Sequence, residues 1–110
     1  MTIVKPMKSG QNPESTNGFT VREATEEDFP AILSLIKELA EYERSPDAVT
    51  NSVEQMMREK EHFSCFVAEL PDGTIAGMAL FFTAYFTWVG KSIYLEDIIV
   101  SQAYRQLGIG

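Results

Sequence analysis

The chain is short of the residues that most enzymes use as nucleophiles and bases. Its 110 residues hold one cysteine, Cys65, one histidine, His62, and one tryptophan, Trp88. A single Cys cannot close an internal disulfide, which makes a reducing cytoplasmic compartment the expectation. Cys65 lies inside an apolar run and reads as a buried, inert thiol. His62 sits beside charged Glu61 and reads as a surface residue, so Cys–His or Ser–His catalysis has little to work with. No cluster of Cys and His has metal-site spacing, and no metal is expected. Basic residues are scarce as well, 9 against 16 acidic, for a net charge of −7. Nucleic acids and anionic membranes call for a basic face, so neither is an expected partner. The acid excess fits an acidic soluble protein, and it also fits one that receives a cationic ligand. No apolar run reaches the roughly 20 residues of a membrane span; the longest, Ile75 to Val89, is broken by Gly77, Thr83 and Thr87.

The length allows one domain, and a 45% hydrophobic content allows a modest core. Residues 1–18 are polar, rich in Ser, Asn, Pro and Gly, and read as a flexible leader. The domain is expected over residues 19–110. Phe19 to Glu23 reads as a short strand. Thr25 caps a helix, with Glu26, Glu27 and Asp28 at the positive end of its dipole. Phe29, Ile32, Leu33, Ile36, Leu39 and Ala40 recur at spacings of three and four, which predicts one core-facing stripe and an end near Arg44, before Pro46. A short second helix is expected from Asn51 or Ser52, carrying Val53, Met56 and Met57.

The period then changes. Phe63 to Leu70 reads as a strand, and Pro71-Asp72-Gly73-Thr74 as a hairpin turn. Ile75 to about Thr87 reads as a long aromatic-rich strand, Trp88 to Lys91 as a turn, and Ser92 to Val100 as a nearly apolar strand of the kind buried on both faces. The fold class is α/β in an α+β layer arrangement. Its order is β-α-α-β-β-β, with an antiparallel meander covered by helices.

Four features can carry chemistry. Arg105-Gln106-Leu107-Gly108-Ile109-Gly110 is an R-x-x-G-x-G turn directly after a strand. Bare N–H groups with glycines that permit close approach suit a phosphate, although two glycines also make an ordinary loop, and the spacing is neither Rossmann nor Walker. Glu96 and Asp97 interrupt an apolar strand. Period-two geometry sends them to opposite faces unless a bulge intervenes, and charge in such a strand is costly unless paired or placed at a site. One surface acid with one structural ion pair is the plainer alternative. Tyr42 and Glu43 end the first helix, where acids oppose the dipole; they either face a cation or are simply solvated. Trp88, beside Tyr85 and Phe86, is either a core cap or a cation–π wall for an amine.

Together these pieces resemble the GNAT superfamily of acetyl-CoA-dependent N-acetyltransferases, over roughly Phe19 to Gly110. The run Ile36 to Glu43, the Trp88-x-Gly90-Lys91 turn, Tyr94-Leu95-Glu96-Asp97, and Tyr104-Arg105-x-x-Gly108-Ile109-Gly110 are similar to the diamine (spermidine/spermine) and thialysine N-acetyltransferases. The resemblance implies that Arg105 to Gly110 cradle the CoA pyrophosphate. It implies that Ile98, Ile99 and Val100 offer backbone groups to the pantetheine arm and acetyl carbonyl. Tyr42, Glu43, Trp88, Glu96 and Asp97 would line the path of a cationic amine, and Glu96 would drain its proton. The implied activity is acetyl transfer from acetyl-CoA to a diamine or polyamine, with thialysine or another small amino acid as the alternative acceptor. Full-length relatives are expected to be homodimers. The resemblance also places a helix, a parallel strand and the tyrosine that protonates the departing thiolate beyond Gly110. The expectation is therefore a splice form, a partial gene product or a fragment, inactive on its own toward amines, with Ser92–Val100 as an open edge. A non-catalytic role as partner of a full-length subunit is the alternative from another class.

Overall fold

The computed structural model describes residues 18–110, so the expected leader, Gly18 apart, lies outside the described residues. Strand β1 (Thr20–Glu23) leads to helix α1 (Phe29–Tyr42), helix α2 (Val53–Arg58) and strands β2 (Ser64–Glu69), β3 (Ile75–Phe86) and β4 (Gly90–Val100). One sheet runs in the order β1-β2-β3-β4, and every neighbouring pair is antiparallel. This is the expected mixed α/β arrangement.

Local chemistry explains the helix boundaries. Thr25 and Asp28 form a capping box over one 3-10 turn, Glu26–Asp28, before α1 begins. Its shortest bond runs from the Thr25 N–H to the Asp28 carboxylate, 2.7 Å. The same carboxylate takes a fork from Arg22 at 2.8 and 2.9 Å, and Arg22 Nε also donates to Glu69, 2.8 Å. Ser52 caps α2 by accepting from the Gln55 N–H, 3.1 Å. α1 stops at Tyr42, two residues before the expected Arg44, in a motif that normally ends on glycine. The Ser45 N–H returns to the Ala40 carbonyl (2.8 Å) and the Arg44 N–H to that of Glu41 (3.0 Å), while Arg44 itself sits at φ 60°.

The core lies on both faces of the sheet. On one, Phe29, Ile32, Leu33, Leu35 and Met56 from the helices pack with Cys65, Val67, Met78 and Ile99. Leu35 is off the stripe predicted for α1. It is buried because α2 adds Met56 to the same cluster and widens the covered face. Each fully buried side chain of this kind contributes about 1.5–3 kcal/mol. On the other face, Phe19, Ala68, Ala76 and Ile109 form a second cluster. Cys65 is buried as expected, and that burial pushes its thiol up to about 12. His62 is exposed.

β4 departs from expectation. Only Ile99 is fully buried, and Ile93 and Tyr94 are exposed. β4 is the edge of the sheet among the described residues, and past Phe81 its partner β3 has no contact with β2. The last part of the meander is therefore a two-stranded arm carrying exposed Tyr85, Phe86, Trp88 and Val89.

Arg44→Gly is expected to stabilise the fold by about 0.5–1 kcal/mol in urea titrations, because only glycine adopts that backbone without strain. Asp28→Asn is expected to cost about 2–4 kcal/mol at pH 7. The Arg22 guanidinium holds the Asp28 carboxyl below its usual range. Its contribution is thus present above the unfolded carboxylate value and lost as pH falls through the folded one. The gap between wild type and variant should close below about pH 4.

Candidate active site

The central feature of the site is a register slip. Leu80 pairs with Asp97, yet the next residue, Phe81, pairs with Leu95. Glu96 is the extra residue and has no cross-strand partner, so β4 carries a bulge there. The strict alternation that would send Glu96 and Asp97 to opposite faces is broken between them. Asp97 shares a face with its partner Leu80 and with Ile99, the face on which α1 packs.

That position brings Asp97 near the end of α1. Its carboxyl is raised above the ordinary value first by burial, then by the charge of Glu96, then by that of Glu43. Glu43 and Glu96 thus both act on Asp97 although they come from different parts of the chain. Asp97 is half-buried and Glu96 exposed.

Beside it, α1 and the segment after β4 enclose a cleft of about 260 Å³ lined by Leu39, Glu41, Tyr42, Ile99, Gln102 and Arg105, with Glu38 at its side. The Arg105 guanidinium lies over the Tyr42 ring, 5.9 Å from its centre, and Arg105 Nε donates to the Val100 carbonyl, 3.3 Å. Two larger hollows, by Thr25 and Lys60 and by Phe19 and Leu70, contain none of the sequence-predicted site residues. We place the site at the smaller cleft for that reason.

The R-x-x-G-x-G turn is more structured than its sequence suggests. Gln102–Leu107 forms a 3-10 helix, so Arg105, Gln106 and Leu107 belong to a helix rather than a loop. Gly108 closes it at φ 76°, a conformation that suits glycine. The backbone of Gly108, Ile109 and Gly110 lies outside the helix, where N–H groups can meet an anion. Two residues that the sequence reading passed over hold this segment. The Glu38 carboxylate, on α1, accepts from the Ser101 hydroxyl (3.2 Å) and the Gln102 N–H (2.9 Å). Gly77, on β3, lies under Ile109. Spacing from the helix stripe could have marked Glu38 as inward-leaning, whereas nothing local marks Gly77.

Ile98, Ile99 and Val100 pair with Ala79, Met78 and Gly77. The opposite edge of β4 is free of strand partners among the described residues, so alternate backbone groups face outward. Trp88 is not brought to the site. It is 97% exposed at the arm tip, and the strand from Gly90 to Asp97 spans roughly 23 Å at about 3.3 Å per residue. It is therefore not a core cap, and it has no ring partner among the described residues. No group of three or more His, Cys, Asp or Glu is placed to hold a metal among them, and no helix there is long and apolar enough to cross a membrane.

A carboxyl whose folded value is raised favours the fold while protonated and loses that contribution as pH rises through the folded value. Asp97→Asn is therefore expected to stabilise the protein at pH 7, by less than about 1 kcal/mol because the group is partly solvated. The gain should vanish below the carboxylate range. Carbon-13 titration of the Asp97 carboxyl should show its midpoint falling in Glu43→Gln and in Glu96→Gln.

Comparison with known proteins agrees with this geometry. Residues 20–110 match the family described as Acetyltransferase (GNAT) family. Thialysine N-epsilon-acetyltransferase of Sus scrofa is 44% identical over 101 residues, covering 82% of this chain and 59% of the relative. Spermidine/spermine N(1)-acetyltransferase-like protein 1 of Homo sapiens is 39% identical over 111 residues, covering 92% of this chain and 16% of the relative. The chain thus spans well under two thirds of the curated relatives it matches. A possible acetyltransferase from Clostridium difficile superposes with a TM-score of 0.65 at 19% identity, over 83% of this chain and 62% of that one, a likeness of fold. A match to the family over residues 20–110, together with relatives of this identity, leads to one conclusion: the chain belongs to the GNAT acetyltransferase family.

Proposed function

We propose that this chain carries the amine path and the phosphate turn of an N-acetyltransferase that moves acetyl from acetyl-CoA to a primary amine of a diamine or polyamine. The observation that carries the reading is that the charges of Glu43 and Glu96 both reach Asp97, while Tyr42, next to Glu43, and Ile99, on the face of Asp97, line a cleft that also contains Arg105. The acids suit a cation, and the Arg105 charge beside the free backbone of Gly108–Gly110 suits a pyrophosphate. The two ligands would meet along the outer edge of β4 at Ile98, Ile99 and Val100.

The chemistry follows from the amine. A free alkyl amine has a pKa of about 10.4 and is no nucleophile while protonated. Bound acetyl-CoA supplies an acyl carbon already activated as a thioester. The acids of this chain attract the ammonium, hold it at the strand edge and remove its proton. Glu96 is the base in this reading, directly or through water, since it is solvated and unpaired at the bulge. Asp97 holds the cation, because its raised carboxyl gains most from a neighbouring positive charge. No protein nucleophile is required, which fits a chain with one buried Cys and one exposed His.

Thialysine is the second reading, favoured by the 44% identical relative of that name. It presents the same cationic amine and adds a carboxylate. A substrate role for Trp88 requires that it reach the amine path from a second copy, given its distance from Asp97 within one chain. A homodimer joined through the arm would satisfy that requirement.

The kinetic tests are made on a form completed past Gly110, in which Glu43→Gln and Asp97→Asn are expected to weaken amine binding by about 1–3 kcal/mol each, with acetyl-CoA affinity changed far less. Glu96→Gln should lower kcat more than it raises the amine KM. Steady-state kinetics with spermidine and thialysine in parallel would rank the two acceptors. Equal loss of affinity for amine and acetyl-CoA would remove the three acids from the amine path.

A further inference from the structure

The glycine turn is held against the sheet by a socket that its own sequence does not contain. Gly77 is the third residue of β3, paired with Val100 of β4 on one side and Ala68 of β2 on the other. A Cβ built there would meet the Ile99 carbonyl oxygen at 3.0 Å, Ile109 Cγ2 at 3.3 Å and Val100 Cγ2 at 3.4 Å. The first two are tighter than most Cβ contacts in folded proteins, so the neighbours would have to give by a few tenths of an ångström, and the first is backbone, which cannot rotate away. Ile109 fills the space that the missing side chain leaves. It is 6% exposed, in a cluster with Phe19, Ala68 and Ala76. The β3 backbone helps a second time, since the carbonyl of Ala76 accepts the Ser101 N–H at 2.8 Å. Glycine inside a strand weakens it, and its presence marks a place where something must come close.

Ile109 stands between Gly108 and Gly110, and all three lie outside the helices among the described residues. A side chain seated in a rigid sheet is then the device that sets the height and angle of this peptide run. We propose that Gly77 is a positioning residue for the phosphate turn. By receiving Ile109 it fixes where the N–H groups of Gly108 to Gly110 stand, and so controls affinity for the pyrophosphate of CoA without touching it. The proposal rests on the reading of this turn as a pyrophosphate site. It differs from a purely structural role in one respect: it predicts selectivity between ligands with and without a pyrophosphate.

The test uses the whole chain and two variants that approach the socket from opposite sides. Gly77→Ala fills it, and Ile109→Ala empties it. Binding of CoA and of S-acetylpantetheine, which lacks the pyrophosphate, is measured by calorimetry. Amide shifts and hydrogen exchange are followed by NMR. Both variants are expected to weaken CoA binding about tenfold, as displacement of a binding group by a fraction of an ångström does, with S-acetylpantetheine changed less than about twofold. Amides of Leu107 to Gly110 should shift, while those of Met78 and Ile99 keep their protection. Equal weakening of both ligands, or turn amides that do not move, would overturn the proposal. If Gly77→Ala does not fold, Ile109→Ala gives the same comparison without straining β3. If the wild-type chain binds neither ligand, the pyrophosphate reading fails by itself; the shifts of the turn amides then decide for or against the positioning role of Gly77.

Discussion

Every part of the site takes its position from β3. This strand is bonded on both sides, to β2 and to β4, and it faces two cores at once. Its pairing slips twice. One slip, opposite Ala68 and Glu69, leaves Ala76 free to receive the chain leaving β4. The other, opposite Leu95 to Asp97, turns two carboxylates out of simple alternation. Between them Gly77 leaves room for Ile109. A straight ladder of the same residues would pair as well, but it would separate Glu96 from Asp97 and leave the glycine turn unsupported.

The charges divide into two groups with different duties. Arg22, Asp28 and Glu69 are closely paired, and the capping box fixes them, so the acid in that group is held low. Asp97 is held high, first by burial and then by the charges of Glu96 and Glu43. A folded chain does not gather like charges without a return, and structural ion pairs cannot explain the second group because no cation is among the three. The contrast within one small domain separates acids that are paired in the fold from acids that are not, and unpaired acids of this kind are candidates for a site.

The sequence displayed the elements well because the local signals agreed with one another. Thr25 and Asp28, Ser52, and Pro71 to Gly73 each placed a boundary that the structure keeps. It displayed the family through Glu96-Asp97 and the glycine turn. It could not display what depends on pairing between distant residues. The bulge at Glu96 exists only relative to Leu80 and Phe81, so period-two counting along β4 alone was bound to mislead. Leu35 is buried through α2, and Gly77 matters because of a residue 32 positions later. The apolar character of β4 was read as burial on both faces, whereas among the described residues that strand is an edge and its apolar side chains are open. The core-cap reading of Trp88 failed for a similar reason, since proximity of aromatics in sequence says nothing about the reach of a two-stranded arm.

That arm has a mechanical consequence. Beyond Phe81 only two strands continue, and they leave the sheet at the bulge that holds the acids. The bulge is then a fulcrum and the arm a lever roughly 20 Å long at about 3.3 Å per residue. On that length, a rotation of roughly ten degrees at Glu96 sweeps the Trp88 ring through about 3–4 Å.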